Sequence, residues 1–459
     1  MKILFVSHNH PEIRPGGAEG YALDVYEGVR EAGEFEPVLL SRSGPPISIG
    51  TRYHEGRPIT LVNHDPHQYF FYTDMSDWDW VFGRSPKKPA LTRFFREFLL
   101  EHKPDIVHFQ HTMYMGYDIL RVTRNTLPDV PIVYTLHEYL PICQNNGQMV
   151  RTMDRSLCDH DSPRRCHECF PRIPQQTFFM RKRFIQSQLS VVDLFVTPSA
   201  GALEQYVRWG ILRERIVHEP HGFVPAQPLP EPGGERERDR DRFGFFGQFT
   251  EFKGADVLLE AFASLTQRHK QRHKQRQAQG QGEDFPGRLW IHGANLDTAP
   301  SKFQDRFREL LEDAGDRVRL VGQYDRADIA KLMARVDWVV IPSIWWETGP
   351  LTVGEAFQHG RPVICSDMGG MSEKVTDGVN GLHFRRGDAD ELAEVIGRAA
   401  TTPGLWEELR RGIPAVPTMR EHVASLSSHY RRLLASRAPV PPRAPDSGRS
   451  RPRVPDTIG

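Results

Sequence analysis

A chain of 459 residues is too long for one hydrophobic core, and two α/β units of similar size would account for it. Its 59 Lys and Arg balance 59 Asp and Glu, which excludes a global electrostatic pull toward nucleic acid and makes any phosphate chemistry local. No apolar run approaches the roughly 20 residues that span a bilayer, and Met1–Ser7 passes into His8-Asn9-His10-Pro11 without a small-residue cleavage site, so it reads as a first strand rather than a secretory signal. The expectation is a cytoplasmic protein, with peripheral contact at the inner face of the membrane allowed.

In chain order, Lys2–Ser7 reads as a strand, Pro15-Gly16-Gly17 as a glycine-rich loop, Ala18–Glu31 as a helix and Pro37–Ser41 as a strand, the opening βαβ of a doubly wound sheet. Apolar strands recur at Ile106–Phe109, Ile132–Leu136 and Leu194–Thr197. Between them, aromatic and acidic stretches from Tyr69–Tyr72 through Asp79-Trp80 read as loops, suited to an acceptor-side surface and better suited to ordinary packing. Residues 1–224 thus form a first Rossmann-like domain, and the Pro, Gly and charge run of 225–242 forms a linker.

The second domain, 243–413, opens on Phe243–Gly247 and a helix at Gly254–Thr266. Strands follow at Arg288–His292, Val318–Val321, Trp338–Ile341 and Pro362–Cys365, and helices between parallel strands imply a second Rossmann-like sheet. Residues 267–287 are a low-complexity polar segment that cannot build a core and are expected as a loop inserted in this domain. Met419–Leu434 has helical periodicity within a closing segment, 414–435, and the Pro/Arg-rich tail 436–459 is expected to be disordered.

The chemistry concentrates in PSIWWETGPLTVGEAFQHGRPVICSDMGG, residues 342–370. Glu347 and Glu355 stand eight positions apart around a strand-to-helix junction. Pro350 sits at the first helical turn, where its missing N–H costs nothing. The free N–H groups within residues 349–352, Pro350 excepted, and the positive end of the helix dipole make a seat for phosphate. Acceptor-only carboxylates on either side suit sugar hydroxyls.

The segment resembles the donor-binding motif of the family 4 retaining glycosyltransferases, through its Glu-x7-Glu pair, Gly360-Arg361-Pro362-Val363-Ile364, Gly369-Gly370-Met371-Ser372-Glu373 and Asp377–Leu382. The resemblance implies the GT-B fold, two Rossmann-like domains with parallel sheets facing across a cleft, and transfer of a sugar from a nucleotide-sugar donor to a glycan, lipid-linked or small-molecule acceptor. It gives the donor sugar to Glu347, the ribose to Glu355 and the pyrophosphate to the segment Gly349, Pro350 and Leu351, where Gly349 and Leu351 carry the N–H donors. Lys253 matches the second member of the family's Arg/Lys pair that stabilises the leaving diphosphate. Gln248 stands where Arg is common, so it offers hydrogen bonds without charge, and the site is either weakened or assisted by another cation. Gly16 and Gly17 resemble the loop that lets backbone approach the donor. His137, at the carboxyl end of a strand in Tyr134–Tyr139, matches the histidine near the reacting centre, and His111 is a second candidate beside the acceptor. The proposed catalytic residues are therefore His137, Lys253 and Glu347, with no metal required at the phosphates. The rivals are a sugar-nucleotide epimerase of the same fold and a non-catalytic nucleotide-sugar-binding scaffold. No GxGxxG follows a strand, which disfavours a nicotinamide dehydrogenase.

Cys143, Cys158, Cys166 and Cys169 cluster within 27 residues of a chain that carries five cysteines. Without a secretory signal, such clustering points to metal ligation rather than disulfides. The expectation is a structural zinc or iron–sulfur cluster ordering the loop 143–169, with His160 or His167 able to replace a thiolate.

Overall fold

The computed structural model describes residues 1–14, 16–43, 59–62, 65–73, 78–85, 89–226, 240–277, 285–294 and 296–436. Most of the expected linker, residues 278–284 of the polar segment and the tail beyond 436 lie outside them.

The first sheet has eight strands: β1 (Lys2–Ser7), β2 (Glu36–Ser43), β3 (Ile59–Val62), β4 (Asp65–Tyr72), β5 (Ile106–Phe109), β6 (Ile132–Thr135), β7 (Leu194–Thr197) and β8 (Ile216–His218), in the order β3-β4-β2-β1-β5-β6-β7-β8. Only the outermost β3 pairs antiparallel. The second has six parallel strands: β9 (Arg242–Gln248), β10 (Arg288–Ala294), β11 (Val318–Gly322), β12 (Trp338–Ile341), β13 (Val363–Ser366) and β14 (Gly381–Phe384), in the order β11-β10-β9-β12-β13-β14. The central strands of both are buried on two faces. In β1, Leu4 and Val6 enter one apolar cluster while Ile3 and Phe5 enter another, and in β12 Trp338 and Val340 are divided in the same way from Val339 and Ile341. That double burial is why the strands read as continuous apolar runs rather than alternating ones.

Three expectations change. Tyr69–Tyr72 is the end of strand β4, not a loop, and Phe71 is fully buried. The polar segment does not begin as a loop at 267, because the helix runs from Ala255 to Gln277. Gln, Arg and Lys, which make up most of residues 267–277, are good helix formers. The strands β3, β8 and β14 were not expected at all.

The helix Met419–Ala435, started by a capping box between Thr418 and Glu421, sends Met419, Val423, Leu426 and Tyr430 into the core of the first domain. Its entry runs beside the exit from that domain: Phe223 donates its N–H to the Pro417 carbonyl at 2.9 Å, and Met419 returns a bond to the Phe223 carbonyl at 2.8 Å. No helix among the described residues is long and apolar enough to cross a membrane.

Candidate active site

A cleft of about 470 Å³ lies between the two sheets, and it gathers Gly16, Gly17, His137, Gln248, Lys253, Glu347, Gly349, Pro350, Leu351 and Glu355. Every expected donor-side residue is therefore in one place. The loop after β1 leads into the helix Gly17–Ala32, and the loop after β12 leads into the helix Leu351–Gln358. Their N-termini meet, because a Cβ on Gly17 would come within 3.5 Å of the Leu351 side chain. Two helix starts from different domains thus turn their orphan amides and positive dipole ends toward the same space, which suits a diphosphate.

Two glycines permit the close approach. Gly254 has φ +69, and a Cβ there would lie 1.9 Å from the Pro342 carbonyl oxygen, so the turn that presents Lys253 admits only glycine. A Cβ on Gly349 would lie 2.6 Å from Pro198 and 2.9 Å from His221, both across the cleft.

Glu347 is buried, and its Oε1 accepts from Lys253 Nζ at 2.6 Å, Ser343 Oγ at 2.8 Å and Trp345 Nε1 at 2.9 Å. The Lys253 ammonium also lies 5.3 Å from the Trp345 ring centroid. Glu355 lies in the same wall, one turn into its helix. Burial pushes its carboxyl above the ordinary value, Arg326 opposes the shift and Asp24 adds to it. Lys374 stands near Glu347, where burial brings its amine down to about 8 against the pull of Glu373 and Glu347.

On the facing wall His137 Nε2 is 2.9 Å from Gln110 Oε1, which makes Nε2 the protonated nitrogen and leaves Nδ1 an acceptor. Burial, with nearby His111 and His8, pushes this imidazole down to about 3, so it is neutral. Tyr21 packs edge-on to it at 5.3 Å, and His221 stacks at 6.1 Å. His111 lies outside the cleft lining and bonds Glu138 at 3.1 Å.

Sequence reasoning missed Tyr21, His221, Tyr324 and Arg326, all of which line the cleft. A usable signal existed for Tyr21, four positions after Gly17 on the same helical face, and for His221, just past β8 at the carboxyl edge. Arg326 carried none. It forms a two-pronged ion pair with Asp24 of the first domain. Other bonds also join the domains here: Thr348 Oγ1 donates to the His137 carbonyl, and Glu373 accepts from the amides of Ala200 and Gly201 at 2.9 and 2.8 Å, capping the helix Ala200–Trp209.

The metal expectation for Cys143, Cys158, Cys166 and Cys169 is corrected. All four are free and half-buried, and among the described residues no three His, Cys, Asp or Glu side chains group closely enough to hold an ion. Burial pushes the Cys143 thiol up to about 12 and Cys166 up to about 11. Hydrogen bonds shape the loop instead. Arg151 bonds Glu168 at 2.8 Å, Lys182 bonds Asp161 at 2.9 Å, and the buried Arg181 guanidinium binds the carbonyls of Leu140 and Pro141 at 2.6 and 2.8 Å. Across the cleft, Arg155 donates to the Glu251 carbonyl at 3.0 Å and Trp346 Nε1 to the Cys158 carbonyl at 3.1 Å. His160 sits against Asp159 and Arg165, and His167 against the Ile173 carbonyl.

Comparison with known proteins agrees with this geometry. Residues 15–227 match the model for Glycosyltransferase Family 4, and residues 240–402 match that for Glycosyl transferases group 1. A glycogen synthase of Mycobacterium tuberculosis is 22% identical over 416 residues, covering 90% of this chain and 89% of its own. A D-inositol 3-phosphate glycosyltransferase of Corynebacterium aurimucosum is 28% identical over 420 residues, 86% of this chain and 87% of its own. In fold, the chain is similar to Anabaena HepE in complex with UDP and glucose (TM-score 0.62, 18% identity, 95% of this chain and 100% of that one). It is likewise similar to a sucrose-phosphate synthase from Thermosynechococcus elongatus (TM-score 0.65, 18% identity, 95% and 100%). With both halves matched and the two sheets facing across a shared cleft, the chain belongs to the family 4 glycosyltransferases, GT-B enzymes that transfer a sugar from a nucleotide-sugar donor.

Proposed function

We propose that the enzyme is a retaining glycosyltransferase acting on a glycan or small-molecule acceptor, with Glu347, Lys253 and His137 at the reacting centre. The observation that carries this is the convergence of the Lys253–Glu347 pair, two helix N-termini and the neutral His137 on one cleft. The diphosphate sits between the helix starts, Glu355 takes the ribose hydroxyls, and Glu347 Oε2 and His137 Nδ1 accept from the donor sugar.

The bond from the anomeric carbon to the diphosphate breaks with its electron pair going to the phosphate oxygen. The acceptor hydroxyl then bonds to that carbon from the same face and gives its proton to the departing diphosphate. Lys253, the Gln248 amide and the backbone N–H groups of Gly349 and Leu351 stabilise the growing charge. Arg14 and Arg326 also line the cleft, which bears on the uncharged Gln248.

UDP sugars are the donors to test first, since the similar HepE structure holds UDP. Incubation with a panel of them and mixed acceptors, with proton NMR of the product, tests the proposal. Product with the donor's anomeric configuration is expected, and inversion overturns retention. Release of an altered sugar without acceptor would instead mark an epimerase.

A further inference from the structure

Of eight tryptophans, Trp80 is the one presented to solvent, at 53% exposure. Single exposed apolar residues are common, but this one is held in place. Asp79 Oδ1 accepts from the amides of Val81 and Phe82 at 3.0 and 3.1 Å, Asp79 pairs with Arg84 to close the turn, and Gln144 Nε2 donates to the Trp80 carbonyl at 2.9 Å. The indole stands edge-on to Trp78 at 6.4 Å and to Tyr114 at 6.0 Å. Tyr114 has φ +63, a conformation that costs energy in a non-glycine residue, and it is backed by the buried Arg42 guanidinium at 4.8 Å. The ring is thus presented without the ordering cost that a mobile side chain would incur on binding.

This aromatic ledge adjoins the cleft. Arg14 lines the cleft and is close enough to Tyr114 for its charge to act on the phenol, as is Glu19. Beside them, at the carboxyl ends of the adjacent strands β1 and β5, the rings of His8 and His111 lie 4.2 Å apart. His8 Nε2 faces Glu19 Oε1 at 3.0 Å and His111 Nε2 faces Glu138 Oε1 at 3.1 Å, so each carboxylate takes a ring N–H. The other His8 nitrogen, Nδ1, is buried and has no hydrogen-bond partner among the described residues. Burial opposes ionisation of Glu19, yet the charge and hydrogen bond of His8 hold its carboxyl down at about 2.

We propose that this face is an acceptor subsite for a neutral sugar unit, with its C–H face on Trp80 and its hydroxyls toward the histidine–carboxylate pairs, so that the acceptor is an oligosaccharide. This rests on the glycosyltransferase activity proposed above. Two carboxylates on this face suit hydroxyl donors and disfavour an acceptor phosphate. Of the nearby cations, Arg42 is buried on Thr73 and Arg84 faces Asp79, while Arg14 lies on the cleft side of the ledge.

The test compares wild type, Trp80→Ala and Trp80→Phe on neutral hexose oligosaccharides of graded length and on hexose 6-phosphates, with a UDP-sugar donor. Leu212→Ala, an equally exposed position at the far edge of the sheet, is the control. Wild type should use the neutral oligomers with a KM that falls with length. Trp80→Ala should raise that KM roughly tenfold, the scale of one aromatic contact, and move kcat far less, while Trp80→Phe restores most of the loss. An unchanged acceptor KM in Trp80→Ala, or use of a hexose phosphate with every neutral oligomer refused, overturns the subsite. If no donor is turned over at all, the activity proposal fails, and tryptophan fluorescence titrated with the same oligomers still decides the ledge. A Trp80-dependent change supports it, and none overturns it.

Discussion

Lys253 Nζ lies 2.6 Å from Glu347 Oε1, so the cation assigned to the leaving diphosphate and the carboxylate assigned to the donor sugar already form one ion pair. With Ser343 and Trp345 also on that oxygen, Glu347 fixes the lysine through Oε1, and in the proposed reaction its Oε2 is the oxygen that accepts from the sugar. Neither residue acts alone.

Lys253→Ala should lower kcat by about two to three orders of magnitude, the scale of one strong electrostatic donor, with a smaller change in donor affinity. Glu347→Gln should also lower kcat, and because it loosens Lys253 the double variant should lose far less than the product of the single losses. Steady-state kinetics of the four proteins checks this. Strict multiplicativity would mean that the pair is not a functional unit.

Glu355→Gln should weaken nucleotide binding by about 1–3 kcal/mol, as for a charged hydrogen bond left unmade. Its raised carboxyl pKa fixes the pH signs. The folded protein holds this proton to higher pH than the unfolded chain, so the stability Glu355 contributes is present at low pH and is lost as pH rises through the raised value. Nucleotide affinity, needing the carboxylate, should instead grow over the same window. Calorimetry against pH should show that growth in wild type and not in Glu355→Gln, whereas the variant should melt no lower than wild type at neutral pH.

Glu373→Ala should cost about 1 kcal/mol, the usual scale of a lost helix cap, since the carboxylate holds two amides of the helix Ala200–Trp209. These amides belong to the other domain, so small-angle scattering should report a larger radius of gyration. An unchanged radius with a lowered melting temperature would make the contact a cap without a closing role.

Dialysis against a strong chelator should leave the melting temperature unchanged, because hydrogen bonds from Arg151, Arg181 and Lys182 order the cysteine loop. A chelator-induced fall, with zinc or iron released in proportion to protein, would show that an ion holds the loop.

What could be read from the chain alone follows from how local each signal was. Trp338–Ile341 through Glu355 carries strand, turn, helix start and both flanking carboxylates within one short segment, so its geometry was legible. The strand Asp65–Tyr72 was not, because its Asp-Pro-His-Gln start has low strand propensity and its pairing with β2 is set at a distance. The far wall of the cleft was missed for the same reason: Tyr21, His221 and Arg326 come from three separated segments. The cysteines misled through spacing, which says nothing about the arginine-to-carbonyl bonds that order the loop.

The paired crossing at Phe223 and Thr418 makes the second domain an insertion into the first. A ribosome extruding this chain makes β1 early and the helix Met419–Ala435 that seals its core only after the whole second domain. Until then the pocket for Met419, Val423, Leu426 and Tyr430 stays uncovered, while the second domain has its strands in hand and can condense first. Maturation of the first domain therefore waits on synthesis of the helix Met419–Ala435.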